Sequence, residues 1–295
     1  MKTSDIELLA QSITSGDRKA IANGITLVES TKEEDQALSE QLLNKLQASK
    51  KDSIRIGVSG PPGVGKSTFI EALGHPILET GEQLAILAID PSSSISGGSI
   101  LGDKTRMEFL SRSDNTFIRP SPSGGNLGGV NRSTRESISI LEAAGYSVIL
   151  VETVGVGQAE TEVFEMTDIF LVLLSPGGGD ELQGIKRGII ELADILVVNK
   201  SDGNLLATSK STMLDYKNAL KLLKPRIKEW TIPILSCSAL QKEGINEAWD
   251  QILKLKNHLI STGQLKDNRH KQNEIWLKNK KKNLILSAIE SDETL

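Results

Sequence analysis

The sequence has few of the residues that mark several large classes of protein. It contains one cysteine, Cys237, among 295 residues, so no disulfide can form within the chain. Aromatic residues make up only 3%, so the core must be built from aliphatic side chains. Three scattered histidines and one cysteine offer no cluster of soft metal ligands. We therefore expect any bound metal to be a hard ion held by oxygen atoms.

Charge and hydropathy exclude further classes. The net charge of −4 and the isoelectric point near 5.6 argue against a general nucleic-acid binder, which carries a strongly basic face. No apolar run approaches the roughly 20 residues that cross a bilayer, and the first residues lack the apolar core of a signal peptide. We expect a cytoplasmic protein that binds neither nucleic acid nor membrane.

The spacing of apolar residues changes twice along the chain. Residues 1 to 50 follow a helical period, and Thr31, with Glu34 three residues later, predicts the start of a helix. From Ile54 onward short aliphatic runs recur, most of them continuous, with helical segments between them. Continuous runs are typical of strands buried on both faces of a parallel sheet. From Asn246 the pattern is helical again.

These patterns predict a doubly wound α/β fold with a mainly parallel sheet. The sheet domain is predicted to span residues 51–245. Helical extensions are predicted on either side of it, at residues 1–50 and 246–295. The charged loops follow the carboxyl ends of the strands, where open α/β sheets bind their ligands.

The stretch "GPPGVGKST" matches the phosphate-binding P-loop, G-x-x-x-x-G-K-[ST], between a predicted strand and a predicted helix. Its glycines let backbone N–H groups converge on phosphate oxygens at a helix N-terminus. Lys66 is expected to reach the β- and γ-phosphates, and the Ser67 hydroxyl to bind Mg²⁺. The predicted nucleotide-binding residues of this loop are Gly60, Pro61, Pro62, Gly63, Val64, Gly65, Lys66, Ser67 and Thr68.

A second motif predicts which base is bound. Asn199, Lys200 and Asp202 form the N-K-x-D pattern of GTPases at the end of an aliphatic strand. The Asp202 carboxylate can accept hydrogen bonds from both N1–H and the 2-amino group of guanine, and adenine offers no such arrangement. The later loop Ser238, Ala239 and Leu240 is expected to turn backbone N–H groups toward guanine O6. GTP and GDP are the predicted ligands.

Acidic residues at strand ends complete the predicted metal site. Asp90, Asp103 and Glu152 are the expected ligands of Mg²⁺ beside Ser67, directly or through water. Glu152 begins "ETVG", which stands where many GTPases have D-x-x-G. Gln158, in "GVGQ", is either a residue that positions the attacking water or an ordinary polar loop residue.

A charged, glycine-rich loop follows the strand that ends at Leu174. The three glycines of "PGGGDELQGIK" suit a hinge, and Asp180, Glu181 and Lys186 could exchange partners between nucleotide states. Alternatively, the two acids cap the start of a helix. The two roles are compatible.

Five stretches taken together resemble the MeaB/ArgK family of GTPases, namely "DPSSSISGGSILGDKTRM", "PSGGNLGGV", "VETVGVGQAE", "PGGGDELQGIK" and "NKSD". This resemblance implies a GTPase of low turnover that acts as a chaperone for adenosylcobalamin-dependent methylmalonyl-CoA mutase or a related mutase, through cofactor loading and protection. It also implies a homodimer, with the C-terminal extension as dimerisation region. Three switch segments follow from it: residues 90–107, the stretch around Glu152 to Glu160, and the loop with Asp180 and Lys186. Catalytic roles are thereby expected for Lys66, Glu152, Gln158, Asp180 and Lys186.

Two other functions remain open at this point. A metallochaperone GTPase for nickel or a similar ion would need soft ligands beside the nucleotide, and the sequence is poor in them. A P-loop kinase of a transport system would have no use for a residue that recognises guanine.

Overall fold

A computed structural model describes residues 3–90, 107–122, 129–153, 159–177, 187–223 and 225–290. The strands are β1 (Ile54–Ser59), β2 (Leu84–Asp90), β3 (Thr116–Pro122), β4 (Val148–Glu152), β5 (Ile169–Leu174), β6 (Ile195–Val198) and β7 (Ile234–Ser236). The helices are α1 (Thr3–Thr14), α2 (Arg18–Glu29), α3 (Glu33–Leu46), α4 (Lys66–Glu79), α5 (Glu108–Arg112), α6 (Gly129–Ala144), α7 (Ala159–Phe164), α8 (Arg187–Leu192), α9 (Leu206–Leu220), α10 (Ile245–Ser261) and α11 (Gln264–Glu290).

The strands form one parallel sheet in the order β3-β2-β4-β1-β5-β6-β7. After β1, the chain forms β2 and β3 on one side of the sheet and then inserts β4 between β2 and β1. It continues on the other side of β1 with β5, β6 and β7. The strand order therefore reverses beside β1, and a crevice opens at the carboxyl ends of the strands there. The predicted doubly wound α/β fold is confirmed.

The side chains of the strands alternate between two cores. In β2, Leu84 and Ile86 pack on the face covered by α4 and α10, whereas Ala85 and Leu87 pack on the opposite face. Both faces are buried, which explains why the strands read as continuous aliphatic runs. At Gly57, in the middle of β1, an added Cβ would lie 2.8–3.0 Å from side-chain atoms of Val163, Thr167 and Phe170, so α7 packs closely on this strand.

The N-terminal helices pack on the sheet rather than apart from it. Ile6, Ile21 and Leu42, from α1, α2 and α3, are fully buried in the same core as the outer face of β2. The start predicted for α3 is wrong by one residue. Lys32, not Thr31, is the N-cap, and its side chain makes no capping hydrogen bond. The division at residues 50 and 245 stays a proposal.

The C-terminal helix α11 is fixed to the amino-terminal edge of the sheet by Arg269. Its guanidinium donates to both oxygens of the buried Asp168 carboxylate, at 2.7 and 2.6 Å, and to the carbonyl of Ser53 at 2.9 Å. The buried Glu142 carboxylate of α6 binds Arg55 of β1 at 2.7 Å in the same network. This edge lies opposite the crevice. Within the described ranges, no helix is long and apolar enough to cross a membrane.

Candidate functional site

The P-loop connects β1 to α4 in the crevice, and two of its glycines are required by geometry. Gly65 is the N-cap of α4 with φ 93°, and a Cβ there would lie 2.8 Å from the Asn199 amide nitrogen. Gly60 has φ 148°, and a Cβ would lie 2.5 Å from the carbonyl oxygen of Leu173. A larger residue at either position would clash and strain the backbone. The loop therefore presents main chain rather than side chains to a ligand.

Lys66 is buried at the start of α4 and points into the P-loop. Its ammonium donates to the carbonyls of Gly60 and Pro61 at 2.8 and 3.2 Å. Burial lowers the pKa of Lys66, and the nearby carboxylates of Glu152 and Glu160 oppose that shift. An ammonium held by two carbonyl acceptors can exchange them for phosphate oxygens, which are stronger, charged acceptors.

Ser67 and Glu152, predicted as metal ligands, meet at the end of β4. The Ser67 hydroxyl donates to Glu152 Oε1 at 2.9 Å, and the Glu152 side chain is almost fully buried. Asp90 ends β2, two residues beyond Ala88, which is in register with Glu152, so its backbone reaches the same edge. The Asp90 side chain is outside the described part of the structure, and so is all of Asp103. A hydroxyl next to a carboxylate is a donor set that fits Mg²⁺, which keeps several waters.

Asn199 connects the P-loop to the predicted base loop, Ser238 to Leu240. Its amide donates to the carbonyl of Val64 at 2.8 Å, and its Oδ1 accepts from the Ala239 N–H at 3.0 Å and from Cys237 Sγ at 3.4 Å. Lys200 has φ 58°, and its ammonium donates to the carbonyl of Gly63 at 2.7 Å. The two loops are therefore held together by side chains of the N-K-x-D motif.

Asp202 lies at the mouth of the crevice, beside the loop that follows β7. Its carboxylate accepts a hydrogen bond from the Ser238 hydroxyl, which in turn accepts from the Gln241 N–H at 3.2 Å. The Ala239 N–H donates to Asn199, so its expected contact with guanine O6 stays a prediction. Leu240 is largely exposed, at 77%, and is open to a ligand's base. The arrangement holds the carboxylate of Asp202 where a donor edge can approach it.

Sequence reasoning placed Glu160 at the end of a switch segment but did not single it out as a buried acid near Lys66. Glu160, in the first turn of α7, is 2% exposed, and its Oε2 has no hydrogen-bond partner among the residues that the structure describes. The signal that could have found it is its place eight residues after Glu152, at the end of the "ETVGVGQAE" stretch.

The predicted switch residues are only partly within the described structure. Gln158, Asp180 and Lys186 lie outside the described residues. At the start of the glycine-rich loop, Gly177 has φ 82°, and its N–H donates to Thr212 Oγ1 at 3.2 Å. The loop thus leaves β5 from an anchored, left-handed glycine at the ligand-binding edge.

The chain is similar to known proteins over most of its length. The family model described as methylmalonyl Co-A mutase-associated GTPase MeaB matches residues 21–294. GTPase ArgK of Escherichia coli is 46% identical over 288 residues, which cover 97% of this chain and 87% of that protein. The mitochondrial methylmalonic aciduria type A homolog of Mus musculus is 46% identical over 284 residues, 93% of this chain and 68% of that protein.

One solved structure is similar over nearly the whole fold. A crystal structure of LAO/AO transport system kinase aligns with a TM-score of 0.84 and 37% sequence identity, covering 99% of this chain and 88% of that one. The similarity therefore includes the helices at both ends as well as the P-loop and the sheet.

Proposed function

Because the chain belongs to the family of methylmalonyl-CoA mutase-associated GTPases, we propose that its GTP cycle serves an adenosylcobalamin-dependent methylmalonyl-CoA mutase or a related acyl-CoA mutase. The protein is a GTPase, which converts GTP and water into GDP and phosphate. The service we propose is cofactor loading and protection of the mutase from inactivation. The observation that carries this proposal is the family match over residues 21–294.

The residues of the crevice have distinct roles in the proposed reaction. Lys66 exchanges the carbonyls of Gly60 and Pro61 for β- and γ-phosphate oxygens, while the P-loop N–H groups bind the same phosphates. Gln158 orients the attacking water. Asp180 and Lys186 exchange partners between nucleotide states and carry the signal to the mutase.

Ser67 and Glu152 hold Mg²⁺ in this proposal, with Asp90 and Asp103 in its inner or outer shell. The hydrogen bond between Ser67 and Glu152 supports it, because it brings a hydroxyl and a carboxylate together beside the phosphate loop. When bound, the ion neutralises charge that develops on the phosphate oxygens. Ser67 and Glu152 would keep the ion beside the P-loop.

The mutase assignment is tested by adding the purified mutase to the purified GTPase and measuring GTP turnover under saturating GTP. We expect turnover to rise with mutase concentration and to saturate. Turnover that stays constant would contradict the mutase as partner and leave the GTPase activity intact.

We further propose a cytoplasmic homodimer that is joined through residues 246–295. Light scattering of the full chain, with and without GTP, measures whether a dimer forms.

Guanine recognition by Asp202 gives the first prediction. Asp202→Asn replaces one of the two acceptors that face the base with a donor, which suits the O2 of xanthine, so preference should move from GTP toward xanthosine triphosphate by a factor on the order of 10⁴. Competition titration against a fluorescent GDP analogue measures this. Asp215→Asn, an exposed acid on α9, is the matched control and should leave both affinities unchanged.

The same titration, repeated with ATP as competitor, tests the alternative of a P-loop kinase. Equal affinity for ATP and GTP would contradict the role of Asp202 in recognising guanine.

The alternative of a nickel metallochaperone is disfavoured by the single cysteine. Burial raises the pKa of the Cys237 thiol to about 12, and a metal ligand must be a thiolate. Among the described residues, no group of three or more histidine, cysteine or acidic side chains is arranged to hold a metal ion.

A further inference from the structure

Glu160 is a buried carboxyl group that the proposed reaction has not yet used. It is 2% exposed, and in the described part of the chain its Oε2 has no hydrogen-bond partner. A buried carboxylate oxygen without a donor is costly, and such groups are retained where a ligand or ion satisfies them. The question is which donor approaches this oxygen when the site is working.

The packing of α7 places Glu160 beside the P-loop. Val163, one turn later on the same helix face, packs against Gly57 in the middle of β1. Further along the chain, the N–H of Asp168 donates to the carbonyl of Arg55 at 2.8 Å, near the amino end of β1. The segment therefore runs down β1 from its carboxyl end, and Glu160 stands at that end, where the P-loop begins.

Among the residues that the structure describes here, the side-chain donors of Lys66 and Ser67 are already engaged. Lys66, whose charge interacts with both Glu152 and Glu160, donates to two P-loop carbonyls and is the group expected to bind phosphate. The Ser67 hydroxyl donates to Glu152. A magnesium ion at Ser67 would bring several bound waters, each with two protons to donate, and one carboxylate cannot accept them all.

We propose that Glu160 is a positioning residue of the magnesium site, accepting a hydrogen bond from metal-bound water. This inference rests on the proposed Mg²⁺ site at Ser67 and Glu152 and adds to it an outer acceptor from α7. Glu160 thereby couples metal occupancy to the position of α7.

The test measures Mg²⁺ affinity directly. Glu160→Gln keeps the size of the side chain and removes its charge, and the complexes with a fluorescent GDP analogue and with a non-hydrolysable GTP analogue are titrated with Mg²⁺. We expect the Kd for Mg²⁺ to rise by about 10- to 100-fold, the usual effect of losing an outer-shell partner. Nucleotide affinity in excess EDTA and the melting temperature should stay at wild-type values.

Two further variants separate the possible failures. Glu162→Gln, on the same helix but facing Glu165, is the matched control and should bind Mg²⁺ like the wild type. Ser67→Ala should weaken Mg²⁺ binding. If it does so while Glu160→Gln stays within twofold of wild type, the inference about Glu160 is overturned and the metal site stands. If neither variant changes Mg²⁺ affinity, the proposed metal site itself is wrong. An equal loss of nucleotide affinity with and without Mg²⁺ would also overturn the inference, since Glu160 would then act through Lys66.

Discussion

At the scale of single residues, the candidate site depends on Asn199 as much as on the residues that face a ligand. One buried amide satisfies a P-loop carbonyl and a backbone N–H that follows β7. The amide donates through its nitrogen and accepts through its oxygen, two separate atoms, whereas an ionised carboxylate can only accept. Asn199 therefore fixes the distance between the phosphate-binding loop and the base-binding loop.

Replacing Asn199 should affect stability and binding together. Asn199→Ala leaves the carbonyl of Val64 and the N–H of Ala239 buried without partners, at about 1–3 kcal/mol each. We expect the free energy of unfolding to fall by about 2–6 kcal/mol and GDP affinity to fall with it, as measured by urea denaturation and by fluorescence titration. Asn218→Ala, in which only an exposed contact with Lys221 is lost, should unfold like the wild type. If the two variants unfold at the same urea concentration, Asn199 does not join the loops.

The sequence could predict the motifs of this site but not how they are joined. Gly65, Lys66 and Asp202 are recognisable because their chemistry is local to one loop. The contact between Asn199 and Val64 spans 135 positions, and no local pattern encodes it. Glu160 was missed for the same reason, since a carboxylate in a short helix looks solvated until the packing of α7 is known.

At the scale of elements, α4 carries the P-loop at one end and holds α5 at the other. The Glu71 carboxylate accepts from the N–H groups of Phe109 and Leu110 at 2.6 and 3.3 Å, so it caps α5 from another helix. His75 stacks on the Phe109 ring at 3.7 Å, and its Nε2 lies 3.0 Å from Lys242 Nζ, beyond the base loop. Because an ammonium can only donate, His75 must be a neutral acceptor in this contact.

This contact predicts a pH dependence. Burial, and then the charge of Lys242, lower the pKa of His75, while Glu71 and Glu79 act in the opposite direction. A lowered pKa means that the folded state resists protonation. Stability from this group is thus present above the ordinary histidine pKa, about 6.5, and is lost as the pH falls through the lowered value.

When the pH is lowered from 7.5 to 5, we expect the melting temperature of His75→Gln, followed by circular dichroism, to fall less than that of the wild type. His270→Gln, at an exposed histidine that contacts Glu274, should keep the wild-type pH dependence. Identical pH profiles for His75→Gln and the wild type would show that protonation of His75 does not disturb the contact.

The elements themselves were predictable where burial on both faces dictated the composition. One of the short aliphatic runs that follow Ile54 in the sequence, Leu84 to Asp90, coincides with β2. The start of α3 was misplaced, because the polar contacts at this turn are made by Ser30, which donates to Asp35 and accepts from the Lys32 N–H, and not by Thr31 with Glu34. The five-residue α5 has no signal of its own, since its cap comes from Glu71 on a distant helix.

At the scale of the whole molecule, the two edges of the sheet have separate tasks. The carboxyl edge carries the P-loop and the base loop, and the amino edge carries buried ion pairs that hold α11. Asp168 accepts from Arg269 and from the N–H of Arg55 at 2.8 Å, while Glu142 binds Arg55. The last helix is therefore part of the same cooperative structure as the central strand.

Breaking this network should destabilise the fold without touching the ligand site. Arg269→Met leaves the buried Asp168 carboxylate without its two hydrogen bonds from the guanidinium, which costs about 3–5 kcal/mol, while GDP affinity should be unchanged. Lys280→Met, which removes a half-exposed pair with Glu40 and a cation–π contact with Trp276, should cost only about 1 kcal/mol. Adding Asp168→Asn to Arg269→Met should recover part of the loss, because no uncompensated charge remains. An additive double variant would contradict the buried pair.

The buried position of Cys237 makes its thiol a probe of local opening of the fold. The residue is 2% exposed, and its thiol donates to Asn199 Oδ1. Burial raises the pKa of the thiol to about 12. In the native fold a thiol reagent therefore has no access to the sulfur, and the reactive thiolate does not form. Modification must wait until the strand and loop around it open. With one cysteine in the chain, each labelled molecule has opened at this single place. The labelling rate therefore reports the free energy of opening at the base loop, and a ligand that closes the loop slows that rate in proportion to its occupancy.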